Sequence, residues 1–477
     1  MEPHLKYCGV SRIGKDVLAA EGRTQEALDA HAAAIERDPK NADLHVCMGE
    51  LYSEKNQFSE AISCFVDAIK CEPQHRLAYR QLGFALHEKG DISSDEQRGL
   101  NNFYVPDRIV DSLFGLSDIE EVGLGSNELS CLVSEAGANV VLSPKSFTSS
   151  KPAHDGSSQE RYLEDAKAPP AHLLDIKDGR AWGDGVNSAV MTASGKLISS
   201  VSTRNSRMVA GISQDRPVKR IEGVAAFISQ KFASGNNYFH WFFQDIARLH
   251  LLELAGIELA SIDKFVFAQI QKDFQREVLE VFGIPDSKVI QSIHEPHISA
   301  GRLLVPSPTE VIGTGKWACN FLHQSFSKAV SSVDTNSAPE KIYISRNHSP
   351  YRRVVNEDEL MPMLREHGYE CVQLETLSIQ QKVALLSGVK VIVAPHGAAL
   401  TNLVFCSPGC TVVEMFPKSV MDAGPLIGPY PVIAKHCMLE HYYFFGDDLP
   451  NHEAKPQLRK DILVDLDLFR NMLVKLD

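Results

Sequence analysis

The segment 390–417 constrains the fold of this chain more than any other. It contains two apolar runs, 391–394 and 411–413, whose length is typical of strands that are buried on both faces. Pro395 ends the first run, and glycine-containing turns flank a short helical pattern between the two runs. Strand, turn, helix and strand in this order predict a βαβ unit, which belongs to a parallel sheet.

Small and polar residues follow the carboxyl ends of these two predicted strands. They are His396, Gly397 and Ala398 after the first strand, Asn402 one turn later, and Glu414 at the end of the second strand. Parallel sheets bind ligands beyond the carboxyl ends of their strands, and a glycine at a helix start lets an anion approach unpaired N–H groups. The segment therefore predicts a phosphate or nucleotide site, although a βαβ unit without a ligand also contains a glycine and polar turn residues.

A repeat with a period of 34 residues occupies the start of the chain. It is carried by small residues and prolines that recur in the same order, namely Ala27, Ala34, Pro39 and Gly49 as Ala61, Ala68, Pro73 and Gly83. This is the period of tetratricopeptide repeats, so residues 1–92 are predicted to form paired helices. Two repeats and the start of a third are fewer than a stable stack needs, so we expect them to lean on the next domain. Partner binding, self-association and simple packing are all open as their role.

The chain between the repeats and the central βαβ unit predicts a linker and then two α/β layers. Residues 93–169 include a stretch rich in Ser, Pro, Gly and Lys, which is typical of an exposed linker. Apolar stretches separated by glycine turns over 171–201 predict a short β-meander. Strand and helix patterns then alternate twice. We therefore predict an α/β fold with two Rossmann-like domains, 170–335 and 336–477, that face a cleft.

Composition excludes several classes of protein. The 477 residues carry a formal net charge of −13, whereas a general nucleic-acid binder needs an excess of basic residues. No secretory signal is visible, and the most apolar helical pattern, 238–257, contains too many charges to span a membrane. The ten cysteines lack any CxxC pair and predict reduced thiols without a metal site. We expect a cytoplasmic protein, either dissolved or peripheral at the inner face of the membrane.

Charged residues near the predicted cleft are candidates for ligand binding. Arg346 ends a strand of the second layer and Arg352 follows in the same loop, where guanidinium groups can pair with a diphosphate. A solvated basic loop is the other interpretation of these arginines. Glu375 ends a further strand, and either Glu375 or Glu414 can accept hydrogen bonds from ribose hydroxyls or act as a structural cap.

The first layer supplies two candidate general bases, His240 and Asp245. The sequence 236–241 opens its first helix, so His240 lies one turn inside that helix at the carboxyl edge of a strand. From this position an imidazole can face the cleft and accept a proton from a hydroxyl group. A histidine that only packs within the domain is the alternative interpretation.

The stretch 341–417 resembles glycosyltransferase family 61. The resemblance rests on the sequences IYISRNHSPYRRVVNEDEL, YECVQLETLSIQQKVALLSG and VIVAPHGAALTNLVFCSPGCTVVEMFP. NYFHWFFQDIARL, at 237–249, is similar to the motif that opens the N-terminal half of the family. Cys410 stands where members commonly have a small hydroxyl residue. The resemblance covers residues 170–477 and is to the bacterial type of the family.

This resemblance implies a two-domain GT-B fold and an inverting, metal-independent transfer from a nucleotide sugar, usually UDP-linked. Arg346, Arg352 and the N–H groups at 396–398 would hold the diphosphate, and His240 or Asp245 would deprotonate the acceptor. No cofactor is expected besides the nucleotide-sugar co-substrate. We expect a glycan or polysaccharide hydroxyl as the acceptor. A protein acceptor presented by the repeats and a non-catalytic tetratricopeptide scaffold are the alternatives.

Overall fold

The structure, a computed structural model, describes thirteen stretches of the chain: 23–114, 119–123, 130–135, 139–140, 146–147, 166–167, 171–203, 205–229, 237–309, 315–329, 339–422, 428–449 and 459–477. An array of helices comes first, and two β-sheets with helices packed against them follow. None of the helices within these stretches is both long and apolar enough to cross a membrane.

The N-terminal array consists of the helices Thr24–Arg37, Ala42–Glu54, Phe58–Cys71, Arg76–Lys89, Ser94–Asn101 and Asp107–Phe114. The repeated small residues are where the helices touch: a Cβ atom on Gly49 would lie 2.5 Å from the Phe65 ring. His31 and Phe65, which occupy equivalent positions of the repeat, are both fully buried. The tetratricopeptide prediction is therefore confirmed. The helices continue to Phe114, however, so the prediction of a linker from 93 onward is wrong over 94–114.

The helical array packs against the first sheet, as the small number of repeats predicted. One apolar cluster contains Tyr79 and Leu82 from the array together with Trp182 and Met208 from the next domain. The carbonyl oxygen of Pro73 accepts hydrogen bonds from the Tyr79 hydroxyl and from the Asn187 amide, both at 2.8 Å. The helical array is thus joined to the first sheet domain by apolar packing and by buried hydrogen bonds.

The strands, numbered along the chain, are β1 (Ser130–Glu135), β2 (Asn139–Val140), β3 (Ser146–Phe147), β4 (Ala166–Lys167), β5 (Ala171–Lys177), β6 (Arg180–Gly183), β7 (Ser188–Met191), β8 (Lys219–Phe227), β9 (Lys264–Phe267), β10 (Val289–Gln291), β11 (His297–Pro306), β12 (Lys341–Ile344), β13 (Tyr369–Val372), β14 (Val391–Pro395), β15 (Thr411–Pro417), β16 (Glu440–Asp448) and β17 (Ile462–Leu463). The helices between and after them are Ser206–Ser213, Tyr238–His240, Leu249–Leu254, Asp273–Val281, Lys316–Ala329, Glu357–Glu366, Ile379–Gly388, Ser419–Asp422, Pro429–His436 and Leu466–Leu476. A π-helical turn, Trp241–Asp245, lies inside the helical segment 238–254, and a 3₁₀ helix, Ala398–Phe405, follows β14.

The first sheet contains a core of four parallel strands. Strands β11, β8, β9 and β10 lie side by side in this order and run parallel. Strands β5 and β6 pair antiparallel with β11, and β1 pairs antiparallel with β5. The predicted meander is only partly present, because β6 and β7 form a hairpin while β5 pairs with β1 and β11. The first four residues of β5 are all buried, which suits a position inside the sheet.

The second sheet is doubly wound. Its parallel strands follow the order β13-β12-β14-β15-β16, and β17 pairs antiparallel with β16 at the edge. Every residue of β14 is buried, as the apolar run predicted. In this strand order the chain reverses its direction of progress between β12 and β14, which makes their carboxyl ends the topological switch point.

The two sheet domains share a continuous apolar core. Phe242 from the first domain lies with its ring centroid 6.0 Å from that of Phe405 in the second domain. Phe326, on the helix that precedes the second sheet, lies 5.3 Å from the same ring. The prediction of two α/β layers after a helical repeat segment is confirmed. The layers are packed together here through helices rather than through the edges of their sheets.

Candidate active site

The switch point of the second sheet brings together two residues that the sequence predicted as ligand-binding. Arg346 follows β12 and Gly397 follows β14. The guanidinium of Arg346 lies directly on Gly397, because a Cβ atom at position 397 would be 2.0 Å from Nη1 and 2.8 Å from Cζ. Only the missing side chain of glycine leaves room for the guanidinium at this place.

A pocket of about 340 Å³ opens beside this contact. Its walls come from both sheet domains and are formed by Tyr238, Ser345, Arg346, His348, Ser349, Pro350, Leu374, Glu375, Lys382, Ala398, Ala399 and Asn402. Four residues predicted to bind a donor, Arg346, Glu375, Ala398 and Asn402, are therefore gathered around one cavity. Glu375 is exposed and lies on the 3₁₀ turn Leu374–Thr376, whereas β13 already ends at Val372, so the prediction that Glu375 ends the strand is wrong.

Arg346 is a poorly neutralised cation at the wall of this pocket. Its Nη2 donates one long hydrogen bond, 3.5 Å, to the carbonyl of Tyr351, and its buried Nε has no partner within the described stretches. Burial lowers the pKa of Arg346, and the nearby positive charge of Arg352 lowers it further. Burial of a cation without compensating partners is unfavourable, so this environment suits the binding of an anion.

Arg352 lies close enough to Arg346 to affect its pKa but is not among the residues of the pocket wall. Its guanidinium stacks over the ring of Tyr351 at 4.9 Å, and its backbone has a left-handed φ of 59°. Arg353, the next residue, is paired with the buried Asp461 at 3.0 Å and has a structural role. Arg352 thus contributes positive potential to the site, as its effect on the pKa of Arg346 shows.

The first N–H groups of the 3₁₀ helix after β14 face this site. The helix begins at Ala398, and its first internal hydrogen bond runs from the Leu400 N–H to the Gly397 carbonyl at 3.0 Å. The N–H groups of Ala398 and Ala399 precede that bond and are available to an anion. The prediction that the His396 N–H belongs to this set is wrong, because it donates to the Met415 carbonyl in the sheet at 2.9 Å.

Glu414 forms a hydrogen-bonded network with His396 and His441. The Glu414 carboxylate receives hydrogen bonds from His396 Nδ1 at 2.5 Å and from His441 Nε2 at 3.0 Å. Burial by itself raises the pKa of Glu414, but the two histidines lower it to about 2. Glu414 lies within β15 rather than at its end, its side chain is buried, and it is not among the residues that line the pocket. The suggestion that Glu414 binds ribose is therefore wrong. His396 stacks on Phe416 with ring centroids 4.7 Å apart, and its side chain is thus held in place.

Asn402 connects the two sheet domains at the pocket. Its Oδ1 accepts a hydrogen bond from the Tyr238 hydroxyl at 2.7 Å, and its Nδ2 donates to the Ala399 carbonyl at 2.8 Å. Both polar atoms of the buried amide are thus engaged within the protein. These hydrogen bonds hold Tyr238 against the start of the 3₁₀ helix, while Asn402 also lines the pocket. Direct binding of the donor by Asn402 stays a prediction.

His240 is held in one tautomer by its neighbour. The Gln244 Nε2 donates to the Thr309 carbonyl at 3.0 Å, so its Oε1 is the atom that faces His240 Nδ1 at 2.6 Å. Because an amide oxygen only accepts, Nδ1 carries the proton and Nε2 carries the lone pair. His240 is half-buried and follows Tyr238, a pocket residue, by two positions. Asn237 caps the start of this helix through the N–H groups of Phe239 and His240.

Asp245, the second candidate base, does not reach the pocket. Its side chain is buried and lies 3.3 Å from the Nη2 of Arg248, which is also buried. Burial raises the pKa of Asp245 to about 7, and Arg248 opposes this rise. Arg248 also donates to the carbonyls of Ile228 and Pro306, at the ends of β8 and β11. The expectation that Asp245 faces the cleft is therefore wrong, since the pair ties two strand ends together.

The sequence reasoning missed Lys382 and Tyr238 as pocket residues. Lys382 lies between Ile379 and Val383 on the buried face of the helix Ile379–Gly388. A single charged residue on an otherwise apolar helical face is a signal that could have found it. Tyr238 belongs to the first domain, and only the packing of the two domains brings it to the pocket.

The described stretches contain no group of three His, Cys, Asp or Glu side chains arranged to hold a metal ion.

Known proteins resemble two separate parts of this chain. Residues 238–413 match the family model described as Glycosyltransferase 61, and residues 18–83 match that of the tetratricopeptide repeat. The beta-1,2-xylosyltransferase XYXT1 of Oryza sativa subsp. japonica is 27% identical over 168 residues, which are 30% of this chain and 36% of the rice protein. Protein O-linked-mannose beta-1,4-N-acetylglucosaminyltransferase 2 of Xenopus laevis is 31% identical over 113 residues, 23% of this chain and 19% of the frog protein.

The repeats have relatives of their own. Tetratricopeptide repeat protein 14 of Mus musculus is 33% identical over 90 residues, which are 19% of this chain and 12% of the mouse protein. The matches thus span about a third or less of the length of these relatives. Residues 238–413 form a glycosyltransferase 61 domain, which follows the tetratricopeptide repeats at 18–83.

Proposed function

We propose that this protein transfers a sugar from a nucleotide-sugar donor, UDP-linked in our prediction, to a glycan or polysaccharide hydroxyl with inversion and without a bound metal. The observation that carries the proposal is the contact of Arg346 with Gly397 at the switch point of the second sheet. A half-buried cation with one long hydrogen bond stands there beside two N–H groups at a helix start. This combination is suited to a diphosphate.

The donor's diphosphate would be held mainly by Arg346. A charge-assisted hydrogen bond contributes about 1.5–3 kcal/mol, whereas a helix terminus contributes about 0.3–1 kcal/mol to an exposed charge. The N–H groups of Ala398 and Ala399 would therefore add orientation and a smaller share of the affinity. Glu375, which is exposed at the pocket wall, remains our candidate for the ribose hydroxyls.

Departure of the nucleotide requires stabilisation of the negative charge that grows on its phosphate. Fixed cations and N–H groups in a site that excludes water provide this stabilisation without reorganisation. Arg346, with the positive charge of Arg352 nearby, would supply this stabilisation, and this is our reason for proposing a metal-independent reaction. The hydrogen bond from Tyr238 of the first domain to Asn402 of the second domain brings the two domains together at the pocket. This contact supports our proposal of a GT-B type of arrangement.

His240 is our candidate for the general base. Its Nε2 carries the lone pair because Gln244 holds the proton on Nδ1. An acceptor hydroxyl that gives its proton to Nε2 would attack the anomeric carbon from the face opposite the leaving nucleotide, which inverts that carbon. The Oε1 of Gln244 would stabilise the imidazolium that forms, because it already accepts a hydrogen bond from Nδ1.

A protein hydroxyl is the second candidate acceptor. The tetratricopeptide array is joined to the first sheet by buried hydrogen bonds at Pro73, so a peptide bound by the repeats would be held at a fixed place relative to the pocket. Mass spectrometry of proteins co-expressed with the enzyme separates these possibilities. Added sugar on a protein supports this second acceptor, and sugar only on glycans supports the first.

The test of the proposed function is release of UDP from a panel of UDP-sugars, measured with and without EDTA. We expect release or transfer with at least one donor, and we expect EDTA to leave the rate unchanged. A strict requirement for Mn²⁺ or Mg²⁺ would overturn the metal-independent mechanism. If no nucleotide or nucleotide sugar raises the melting temperature or turns over, the chain acts instead as a non-catalytic scaffold.

A further inference from the structure

Lys382 is a buried cation that lines the same pocket, and the sequence analysis did not predict it. Only 5% of its surface is exposed, although it is one of the residues that line the cavity. Its Nζ lies 5.1 Å from the centre of the Tyr238 ring, so the ammonium is positioned over an aromatic face from the other domain. Lys382 and Arg346 therefore bring two positive charges to one cavity.

The carboxylates around Lys382 do not neutralise it by direct contact. Burial lowers the pKa of Lys382, while the charges of Glu277 and Glu375 oppose this effect from a distance. Within the described stretches, no carboxylate oxygen lies within salt-bridge distance of Nζ. Glu277 accepts a hydrogen bond from the Ile379 N–H at 2.7 Å, at the start of the helix that carries Lys382.

A buried ammonium without an ion pair is unfavourable unless another group compensates it. A cation–π contact with tyrosine is weak beside the cost of taking an ammonium out of water, so it does not offset that cost alone. An apolar residue on this buried helical face would fill the space without the cost of burying a charge. The lysine is thus explained better by an anionic ligand in the pocket than by packing alone.

We propose that Lys382 binds a phosphate group of the donor's nucleoside diphosphate, as a second cation beside Arg346. This inference rests on the proposed function and adds a residue and a charge to its binding site. Because Tyr238 contacts both Lys382 and Asn402, the phosphate would also be held at the junction of the two domains. A purely structural Lys382, in contrast, would hold Tyr238 in place and would act equally on ligands with and without phosphate.

The experiment therefore varies the number of phosphates in the ligand. Calorimetric titrations with UDP, UMP and uridine are made on the wild-type protein, on Lys382→Met and on Lys382→Arg. Lys390→Met is the matched control, because Lys390 is an exposed lysine at the start of β14 that pairs with Glu340. Inorganic pyrophosphate is titrated as a probe that does not depend on the nucleobase.

We expect Lys382→Met to weaken UDP binding about tenfold or more, as loss of a charge-assisted contact predicts, and to leave uridine binding unchanged. Lys382→Arg should keep most of the affinity for UDP, and Lys390→Met should match the wild type. If Lys382→Met does not fold, Lys382→Gln is titrated with the same ligands. The melting temperature of each variant shows whether it is folded.

Two results would overturn the inference. Equal losses for UDP, UMP and uridine would show that Lys382 only positions Tyr238, and unchanged UDP binding in the folded variant would show that it contacts no phosphate. In both outcomes the wild-type protein still binds UDP, so the proposed function stands. A wild-type protein that binds neither UDP nor pyrophosphate would refute the proposed function together with the role of Lys382.

Discussion

A methyl group at position 397 is expected to expel the Arg346 guanidinium and to leave the fold intact. The Cβ atom of Gly397→Ala would lie 2.0 Å from Nη1, 2.8 Å from Cζ and 3.4 Å from Nε of Arg346. These are the three nearest atoms, and all belong to the end of one flexible side chain. The φ of Gly397 is 173°, which is extended backbone that alanine also adopts.

The size of the effect follows from this geometry. The displaced guanidinium would no longer reach the diphosphate, so the protein would lose a charge-assisted contact of about 1.5–3 kcal/mol. This loss weakens donor binding by about 10-fold to 150-fold. Alanine also restricts the unfolded chain, which favours folding by about 0.4–1 kcal/mol at a compatible site. The melting temperature should therefore change little while the affinity falls.

A double-mutant cycle tests this reasoning. UDP is titrated into the wild type, Gly397→Ala, Arg346→Met and the double variant, and each protein is melted without ligand. Because both substitutions remove the same contact, the double variant should bind UDP no more weakly than Arg346→Met alone. Gly428→Ala is the control, since among the described residues the one atom within 4 Å of a Cβ there would be His396 Cε1, at 3.6 Å. Wild-type affinity in Gly397→Ala, or fully additive losses, would refute the placement of Arg346.

Three further predictions separate catalysis from stability. His240→Ala should lower kcat by about 10²–10⁴-fold with little change in donor affinity, and steady-state kinetics showing the reverse would make His240 a binding residue. Asp245→Asn should lower the free energy of unfolding by about 3 kcal/mol in urea titrations because Arg248 loses its counter-ion; a stable variant without activity would contradict this. The pKa of Glu414 is about 2 in the folded protein, below its ordinary value of 4.5. Glu414 therefore contributes about 3 kcal/mol to the free energy of unfolding above pH 4.5, and this contribution is lost as the pH falls towards 2. Unfolding between pH 6 and pH 3 should show a smaller pH dependence for Glu414→Gln than for the wild type, and equal slopes would exclude this role.

The proximity of Arg346 and Gly397 could be predicted because the carboxyl ends of all strands in a parallel sheet lie at the same edge of the sheet. Both residues follow apolar runs, and each run is recognisable by itself as a buried strand. Once two such strands are neighbours, their following residues lie at one switch point. The same argument placed Glu375 and Ala398 at the pocket correctly.

The roles of Glu414, Asn402 and Asp245 could not be predicted in this way. Position at a strand end or on a helix says where a residue lies along its element, but it does not say which atoms its side chain meets. Glu414 is occupied by His396 and by His441, and the second of these comes from a strand that the sequence pattern did not reveal. Asp245 lies in a π-helical turn and meets Arg248 in the core.

Sequence patterns were enough to predict the helical repeat, the two alternating layers and the strand ends where an anion would bind. Those features depend on periodic patterns and on single residues such as glycine and proline, whose effects are local. Which polar groups have partners within the protein, and which face the pocket, became clear only from the packing of the folded chain. Burial and partner choice depend on side chains from distant parts of the chain, as Tyr238 shows by meeting Asn402 and Lys382 from the other domain.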